Sequence, residues 1–254
     1  MTPKHEILKQ EQGEDVEILQ NKFTKNIVSP FINHQKAWDD EEHFKISDDL
    51  QKGITQSLGF IKPSNIQAVS IPLIYSQFRG EHVNLIAQSK NGTGKTGAFT
   101  IGSTLRVDPK IPKTQVLCVC HVRELSSQIA EVYEKICEFS DIKVSNYTAT
   151  GKSDGQHIVV TTLGKLNNAL KGGRGKKTID LSELRCFVVD EADVFFQEER
   201  NFAAMTEVVK KHISTLKQPV QYVLFSATYP EEVKEKIGTI ITQAQQIHIK
   251  KEQL

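Results

Sequence analysis

Short apolar runs that do not alternate with polar residues constrain this chain most. HVNLIAQ (82–88), TQVLCVC (114–120), IKVSNYT (142–148), QHIVVTT (156–162), LRCFVVD (184–190) and PVQYVLFSAT (219–228) read as strands. A strand with one wet face alternates apolar and polar side chains, whereas most of these runs are apolar at consecutive positions and must bury both faces. Between them stand segments with helical spacing: RELSSQIAEVYEKICEF (123–139), LGKLNNALK (163–171), NFAAMTEVVKKHISTL (201–216) and PEEVKEKIGTIIT (230–242). Strand–helix alternation predicts an α/β fold with an open, mostly parallel sheet and helices on both faces. Two earlier helices are expected, one opened by Ser47 with acidic residues in its first turn, the other by Pro63 and Ser64.

Composition narrows the class. The chain has 254 residues, with 32 Lys+Arg against 31 Asp+Glu and a net charge of +1, so any basic surface must be local. Hydrophobic content of 38% and charged content of 25% fit a globular protein and exclude global disorder. No run approaches the ~18 apolar residues of a membrane span, and the polar MTPKHEILKQEQGED start lacks the apolar core of a signal peptide. Residues 1–43 read as a polar arm, partly disordered or holding one short helix, and residues 44–254 as one domain. Cys118, Cys120, Cys137 and Cys186 lack paired metal-ligand spacing and read as buried thiols of a cytosolic or nuclear protein. KGGRGKK (171–177) reads as a basic surface loop.

The chemistry-bearing signals fall at strand ends. Ser89-Lys90-Asn91-Gly92-Thr93-Gly94-Lys95-Thr96 follows one strand and opens a helix. Its glycines let backbone N–H groups close around phosphate oxygens, and the helix N-terminus favours anionic charge. Lys95 then reaches β- and γ-phosphates, and the Thr96 hydroxyl ligates Mg²⁺. Serine replaces the first glycine of the usual G-x-x-x-x-G-K-T pattern. Asp190 and Glu191 end another apolar strand, where ligands sit in parallel sheets. By itself such an acidic pair reads as a helix cap. Downstream of a phosphate loop it reads as a Mg²⁺-positioning carboxylate, Asp190, and a water-orienting one, Glu191. Ser226 and Thr228, in SAT after a third strand, read either as a turn or as hydroxyl partners of the Asp190 and Asp193 carboxylates.

These motifs together resemble the DEAD-box RNA helicases, from roughly Trp38 to the C-terminus. GFIKPSNIQ (59–67) is similar to the family's Q motif, which implies that Gln67 reads adenine. VRELSSQ (122–128) resembles P-T-R-E-L-A, TTLGKL (161–166) resembles T-P-G-R, and DEAD stands at 190–193. The resemblance implies a RecA-like domain, Mg-ATP as ligand, and an RNA strand held by Arg123, Gly151, Thr162, Gly164 and Lys165. It implies that Ser226 and Thr228 couple the nucleotide site to RNA, single-stranded or duplex. The stacking aromatic for adenine is either Trp38 or Phe44. His121, Val122, Leu163 and Lys165 depart from the RNA-contacting motifs.

VEILQ (16–20), SPF (29–31), NLIAQSKNGTGKT (84–96), RVDP (106–109) and DEADVFF (190–196) are similar to the family's mRNA-export branch. That implies a cytoplasmic or nuclear site of action at the pore, with pore or export regulators as partners and no membrane. In the same branch a helix before the core restrains closure, a role residues 3–20 would fill. The stretch 229–254 suffices for one helix and one strand, so the second RecA-like domain and its arginine fingers are expected outside this sequence. Hydrolysis by this chain alone is accordingly expected to be slow, since a finger contributes ~10³–10⁵ in rate. Two other classes fit part of the pattern: a non-helicase P-loop NTPase, and a catalytically silent docking module.

Overall fold

A computed structural model describes residues 16–19, 37–41, 43–78, 80–172 and 179–249. Its strands are β1 (Val16–Leu19), β2 (Asn84–Ser89), β3 (Val116–Cys120), β4 (Val144–Asn146), β5 (Ile158–Thr162), β6 (Cys186–Asp190), β7 (Gln221–Ser226) and β8 (Ala244–Ile249). Among the described residues they form one eight-stranded sheet in the order β1-β8-β2-β7-β6-β3-β5-β4. Every neighbouring pair is parallel except β1–β8, which runs antiparallel from Val16↔Ile249 to Leu19↔Gln246.

The helices are α1 (Asp48–Lys52), α2 (Asn65–Tyr75), α3 (Lys95–Thr104), α4 (Arg123–Cys137), α5 (Tyr147–Thr150), α6 (Leu163–Lys171), α7 (Ala192–Gln197), α8 (Glu199–Val208) and α9 (Glu231–Gly238). A π turn continues α1 over Gly53–Ser57, and another continues α8 over Val209–Ile213.

The continuous apolar runs are explained by two cores, one on each sheet face. On β3, Val116, Cys118 and Cys120 enter the core shared with α2, α3 and α4, while Leu117 and Val119 enter the core shared with α6 to α9. β6 divides in the same way, Cys186 and Val188 against Phe187 and Val189. The period-2 geometry of a strand sends successive side chains to opposite faces, so a strand wet on neither face needs an apolar residue at each position. All four cysteines are free and buried.

The structure changes several sequence expectations. Residues 16–19 of the arm form an edge strand rather than a helix. Trp38 and His43 are already buried with the core, ahead of residue 44. Arm positions 1–15, 20–36 and 42, and 173–177 of the basic loop, lie outside the described residues. IKVSNYT yields only the three-residue β4, because Asn146 Oδ1 accepts a hydrogen bond from Ala149 N–H (3.3 Å) and starts α5. α9 ends at Gly238, ahead of the predicted limit, and the chain turns into β8 through Gln243 in the left-handed region, φ 56°.

Candidate functional site

The parallel strands deliver the predicted site residues to one edge of the sheet, at their C-terminal ends. β2, β7 and β6 are neighbours there, with Gln88 beside Ser226 and Asp190 beside Phe225. β3, β5 and β4 form the other wing.

On the first wing, the 89–96 loop joins β2 to α3. Gly92 and Gly94 hold φ of 81° and 94°, a region that a side chain would strain. Lys95 Nζ donates to Ser89 O (2.8 Å), Lys90 O (2.9 Å) and Asn91 Oδ1 (3.1 Å), so the ammonium lies within the loop. Ser89 Oγ and Thr93 Oγ1 also bond to each other.

The N-terminus of α2 is tied to this loop. Gln67 Oε1 accepts from Ser64 N–H (3.0 Å), and Gln67 Nε2 donates to Gly94 O (3.2 Å). Ser64 Oγ donates to Thr93 O (2.8 Å). A carboxamide has two donor hydrogens and two acceptor lone pairs, so one of each is left, the pair that an adenine edge matches. Gly97 is needed for this approach: a Cβ there would lie 2.5 Å from Gln67 Nε2 and 2.9 Å from Phe60 Cε2. The Ser64-x-x-Gln67 spacing of a capping box is the sequence signal for this anchoring.

Asp190 ends β6 and is buried, 7% exposed. Burial, the largest cause, raises its pKa to about 6 despite the hydrogen bond that its Oδ1 accepts from Glu191 N–H (3.0 Å). Glu191 sits at φ 54°, a left-handed conformation that sets its direction at the start of α7. Thr228 Oγ1 donates to Asp193 Oδ2 (2.5 Å), which realises one of the two readings of SAT. Ser226 takes the other: its buried hydroxyl accepts from Thr228 N–H (3.2 Å) and shapes the turn. Gln88 Nε2 donates to Ala227 O (3.3 Å) and links the phosphate loop's strand to this turn.

A desolvated carboxylate with one N–H donor is a fit partner for a divalent cation. Among the described residues no cluster of three or more His, Cys, Asp or Glu has metal-binding geometry. Mg²⁺ characteristically takes one or two protein oxygens and completes its shell with water and phosphate, so Asp190 and Thr96 are adequate candidates to hold it.

The second wing gathers Arg123 at the start of α4, Gly151 after α5, and Thr162, Gly164 and Lys165 at the start of α6. All except half-buried Thr162 are exposed. Thr162 N–H donates to Thr148 Oγ1 (3.0 Å), and Asn146 Nδ2 donates to Ser127 Oγ (3.0 Å), fastening the three strand ends together. Leu163, which departs from T-P-G-R, is 5% exposed and packs in the core. His121 lies edge-on to Phe195 at 6.1 Å. Trp38 and Phe44 are 4% and 0% exposed and pack against each other at 5.3 Å, so neither presents an open ring for adenine.

The profile of the DEAD/DEAH box helicase family matches residues 64–236. The chain belongs to that family. The DEAD-box relative named ATP-dependent RNA helicase DBP5 in Scheffersomyces stipitis is 35% identical over 217 residues, covering 84% of this chain and 41% of that protein. The chain thus spans less than half the length of the curated relatives it matches, 43% for DEAD-box ATP-dependent RNA helicase 38 of Arabidopsis thaliana. Saccharomyces cerevisiae Dbp5 bound to RNA and ADP BeF3 superimposes with a TM-score of 0.70 at 30% identity, over 81% of this chain and 51% of that one. Dbp5 L327V from the same yeast, bound to Nup159, Gle1 H337R, IP6 and ADP, gives 0.68 at 31% identity, over 79% and 52%. The RecA-like α/β fold expected of a DEAD-box domain is the fold seen.

Proposed function

We propose that this chain is the first RecA-like half of an ATP-dependent RNA helicase. It binds Mg-ATP on the β2–β7–β6 wing and one side of an RNA strand on the β3–β5–β4 wing. The observation that carries the reading is the meeting of Lys95, Asp190 and the Thr228–Asp193 pair at adjacent strand ends. Gln67 supplies its remaining donor and acceptor to adenine, the loop N–H groups and Lys95 hold phosphates, and Asp190 with Thr96 holds Mg²⁺. The metal supplies neutralisation of phosphate charge when bound. Glu191, fixed in its left-handed conformation, orients the water that attacks the γ-phosphate. Ser226 and Thr228 couple this wing to RNA held by Arg123, Gly151, Thr162, Gly164 and Lys165.

The partner domain that encloses the nucleotide from the other side is the second RecA-like domain of the family. The likeness to Dbp5 supports mRNA export or RNP remodelling at the nuclear pore, with pore-associated export regulators as partners. No helix among the described residues is long and apolar enough to cross a membrane.

The test is steady-state ATPase of this 254-residue polypeptide with and without single-stranded RNA, beside a Glu191→Gln control. Nucleotide binding with turnover near background, and ATP preferred over GTP, is the expected result. RNA-stimulated turnover lost in the control would instead mean that a second copy completes the site. Absence of any nucleotide binding would favour the silent docking module, and indifference between ATP and GTP the non-helicase NTPase.

A further inference from the structure

A cleft of about 980 Å³ opens at the edge of the sheet opposite the nucleotide wing. It lies where α2 and α3 end and where β6 and β7 begin, with Tyr75, Leu105, Arg185 and Pro219 in its wall. The whole length of β6 and β7, five and six residues or ~17–20 Å, separates it from Asp190 and Ser226. Its volume is at the upper end of small-molecule sites, which run from roughly 300 to 1,000 Å³.

Two arginines meet in this wall without a counter-ion. Arg106 Nη2 donates to Arg185 O (3.4 Å), and Arg185 Nη1 donates to Arg106 O (3.1 Å). Arg106 Nη1 also donates to Gln221 Oε1 (2.5 Å) and Ile74 O (3.5 Å). Gln221 is buried and spends its Nε2 on Leu73 O (3.2 Å) and Val83 O (2.7 Å), which turns its oxygen toward Arg106. Every one of these acceptors is neutral. Glu183 stands in the same wall, yet among the described residues it forms no ion pair, and neither arginine pairs with a carboxylate. Burial lowers the Arg106 pKa and Arg185 lowers it further, so the two cations are held together against their repulsion.

Lys45 adds a third cation to the cleft. His82 adds none at neutral pH, since burial and then Arg106 lower its pKa to about 4. Three cations against the Glu183 carboxylate leave a surplus of two positive charges. A phosphate monoester carries about −1.5 to −2 at pH 7, and its oxygens match the planar fork of a guanidinium. Arg185 is the fork with capacity to spare. Among the described residues its side chain makes no hydrogen bond beyond the one to Arg106 O, which leaves its other N–H donors to the cleft. We infer that this cleft binds a phosphate monoester, held by paired hydrogen bonds from Arg185 and by the charges of Arg106 and Lys45, apart from the nucleotide site.

The probe is inorganic phosphate, titrated into the full chain and followed by the melting temperature, with chloride at matched ionic strength as the reference. A saturable rise is expected for the wild type. The phosphate loop is the competing site, so the titration is repeated on Lys95→Ala and on Arg185→Gln. Arg185→Gln is expected to weaken the apparent affinity roughly tenfold or more through the lost charge-assisted bonds, and Lys95→Ala to leave it unchanged. Should Arg185→Gln fail to fold, Arg185→Lys and Lys45→Ala carry the test, each with a several-fold loss expected. Arg185→Lys keeps the charge without the fork, and Lys45 is exposed. Acetate, a monoanion, is expected to bind more weakly than phosphate. No saturable rise in the wild type, full affinity in the Arg185 and Lys45 variants, or loss of the rise in Lys95→Ala overturns the site. Acetate binding as tightly as phosphate overturns the assignment of the ligand. ADP affinity of Arg185→Gln is the separate readout of the nucleotide reading. It is expected to equal the wild type, and a fall would overturn the separation of the two sites.

Discussion

The two wings of the sheet edge are built from the same parallel strands but fixed by different means. On the nucleotide wing, side chains bond directly to the loop that would meet phosphate: Lys95 to Ser89 and Lys90 carbonyls, Gln67 to Gly94, Ser64 to Thr93. On the candidate RNA wing the bonds join one scaffold segment to another, Asn146 to Ser127 and Thr162 to Thr148, while Arg123 and Lys165 stand in solvent. The first wing is therefore pre-organised for a compact, highly charged ligand. Under the proposed function, the second is a set of exposed residues held at fixed spacing, whose contribution to RNA affinity is expected to be electrostatic and additive. Substitutions should act steeply on the first wing and gently on the second.

The largest effect is expected from Lys95→Ala. Lys95 is the one side-chain cation that bonds the loop's own carbonyls among the described residues. A charge-assisted hydrogen bond contributes about 1.5–3 kcal/mol, so Mg-ATP affinity should fall by roughly 10- to 100-fold in a calorimetric titration. RNA affinity in the absence of nucleotide should not move. A parallel loss of RNA affinity would mean that the wings are not independent.

Asp190 comes next, and it sets stability against binding. Its folded pKa is about 6 against an ordinary 3.8, with burial as the main cause. The sign follows from linkage. Between those values the folded state binds more protons than the unfolded one, so this group's contribution to stability falls as pH rises through the window. Above it, the ionised buried carboxylate costs up to about 3 kcal/mol, and Asp190→Asn should raise the melting temperature of the ligand-free domain at pH 7. Mg²⁺-dependent ADP affinity should respond oppositely, falling roughly tenfold per pH unit below 6 as the carboxylate protonates. Metal-free ADP binding is the control. A destabilised Asp190→Asn variant would show that Asp190 is held by unrecognised favourable contacts.

The fold, and the gathering of Lys95, Asp190 and Thr228 at neighbouring strand ends, were legible in the sequence because each rests on local pattern. Unbroken apolar runs such as VLCVC can be satisfied only by a strand covered on both faces, and a glycine-rich loop before Lys95 has few other uses. What escaped depends on contacts between segments distant in sequence. Val16–Leu19 has no periodicity that marks it as a strand, and its pairing with β8 is supplied by the far end of the chain. Trp38 and Phe44 are aromatic, as a stacking platform requires, but nothing local says that they bury their faces on each other.

Thr228→Val sharpens the role of the turn after β7. It removes the hydroxyl that bonds Asp193 and leaves the shape nearly unchanged. Because Thr228 is exposed, the loss should be about 1 kcal/mol of stability, read as a shift of the chemical denaturation midpoint. ADP affinity should change less than threefold. A larger change would place Asp193 in the nucleotide shell rather than behind it.

The smallest effects belong to Lys165. It lies exposed in the first turn of α6, where a helix N-terminus and an ammonium can both meet a phosphate oxygen. Lysine there acts as a point charge, whereas the arginine of T-P-G-R offers a planar two-pronged donor. Lys165→Ala should weaken single-stranded RNA binding and lower the slope of log affinity against log salt by about 0.7, the signature of one lost phosphate contact. Lys165→Arg should keep that slope and tighten binding a few-fold, since the charge is unchanged and only the geometry improves. If alanine leaves the slope untouched, the phosphate path does not pass α6, and Arg123 with Gly151 must carry it. The opposite failure, a loss as steep as that of Lys95→Ala, would erase the distinction between a pre-organised wing and an additive one.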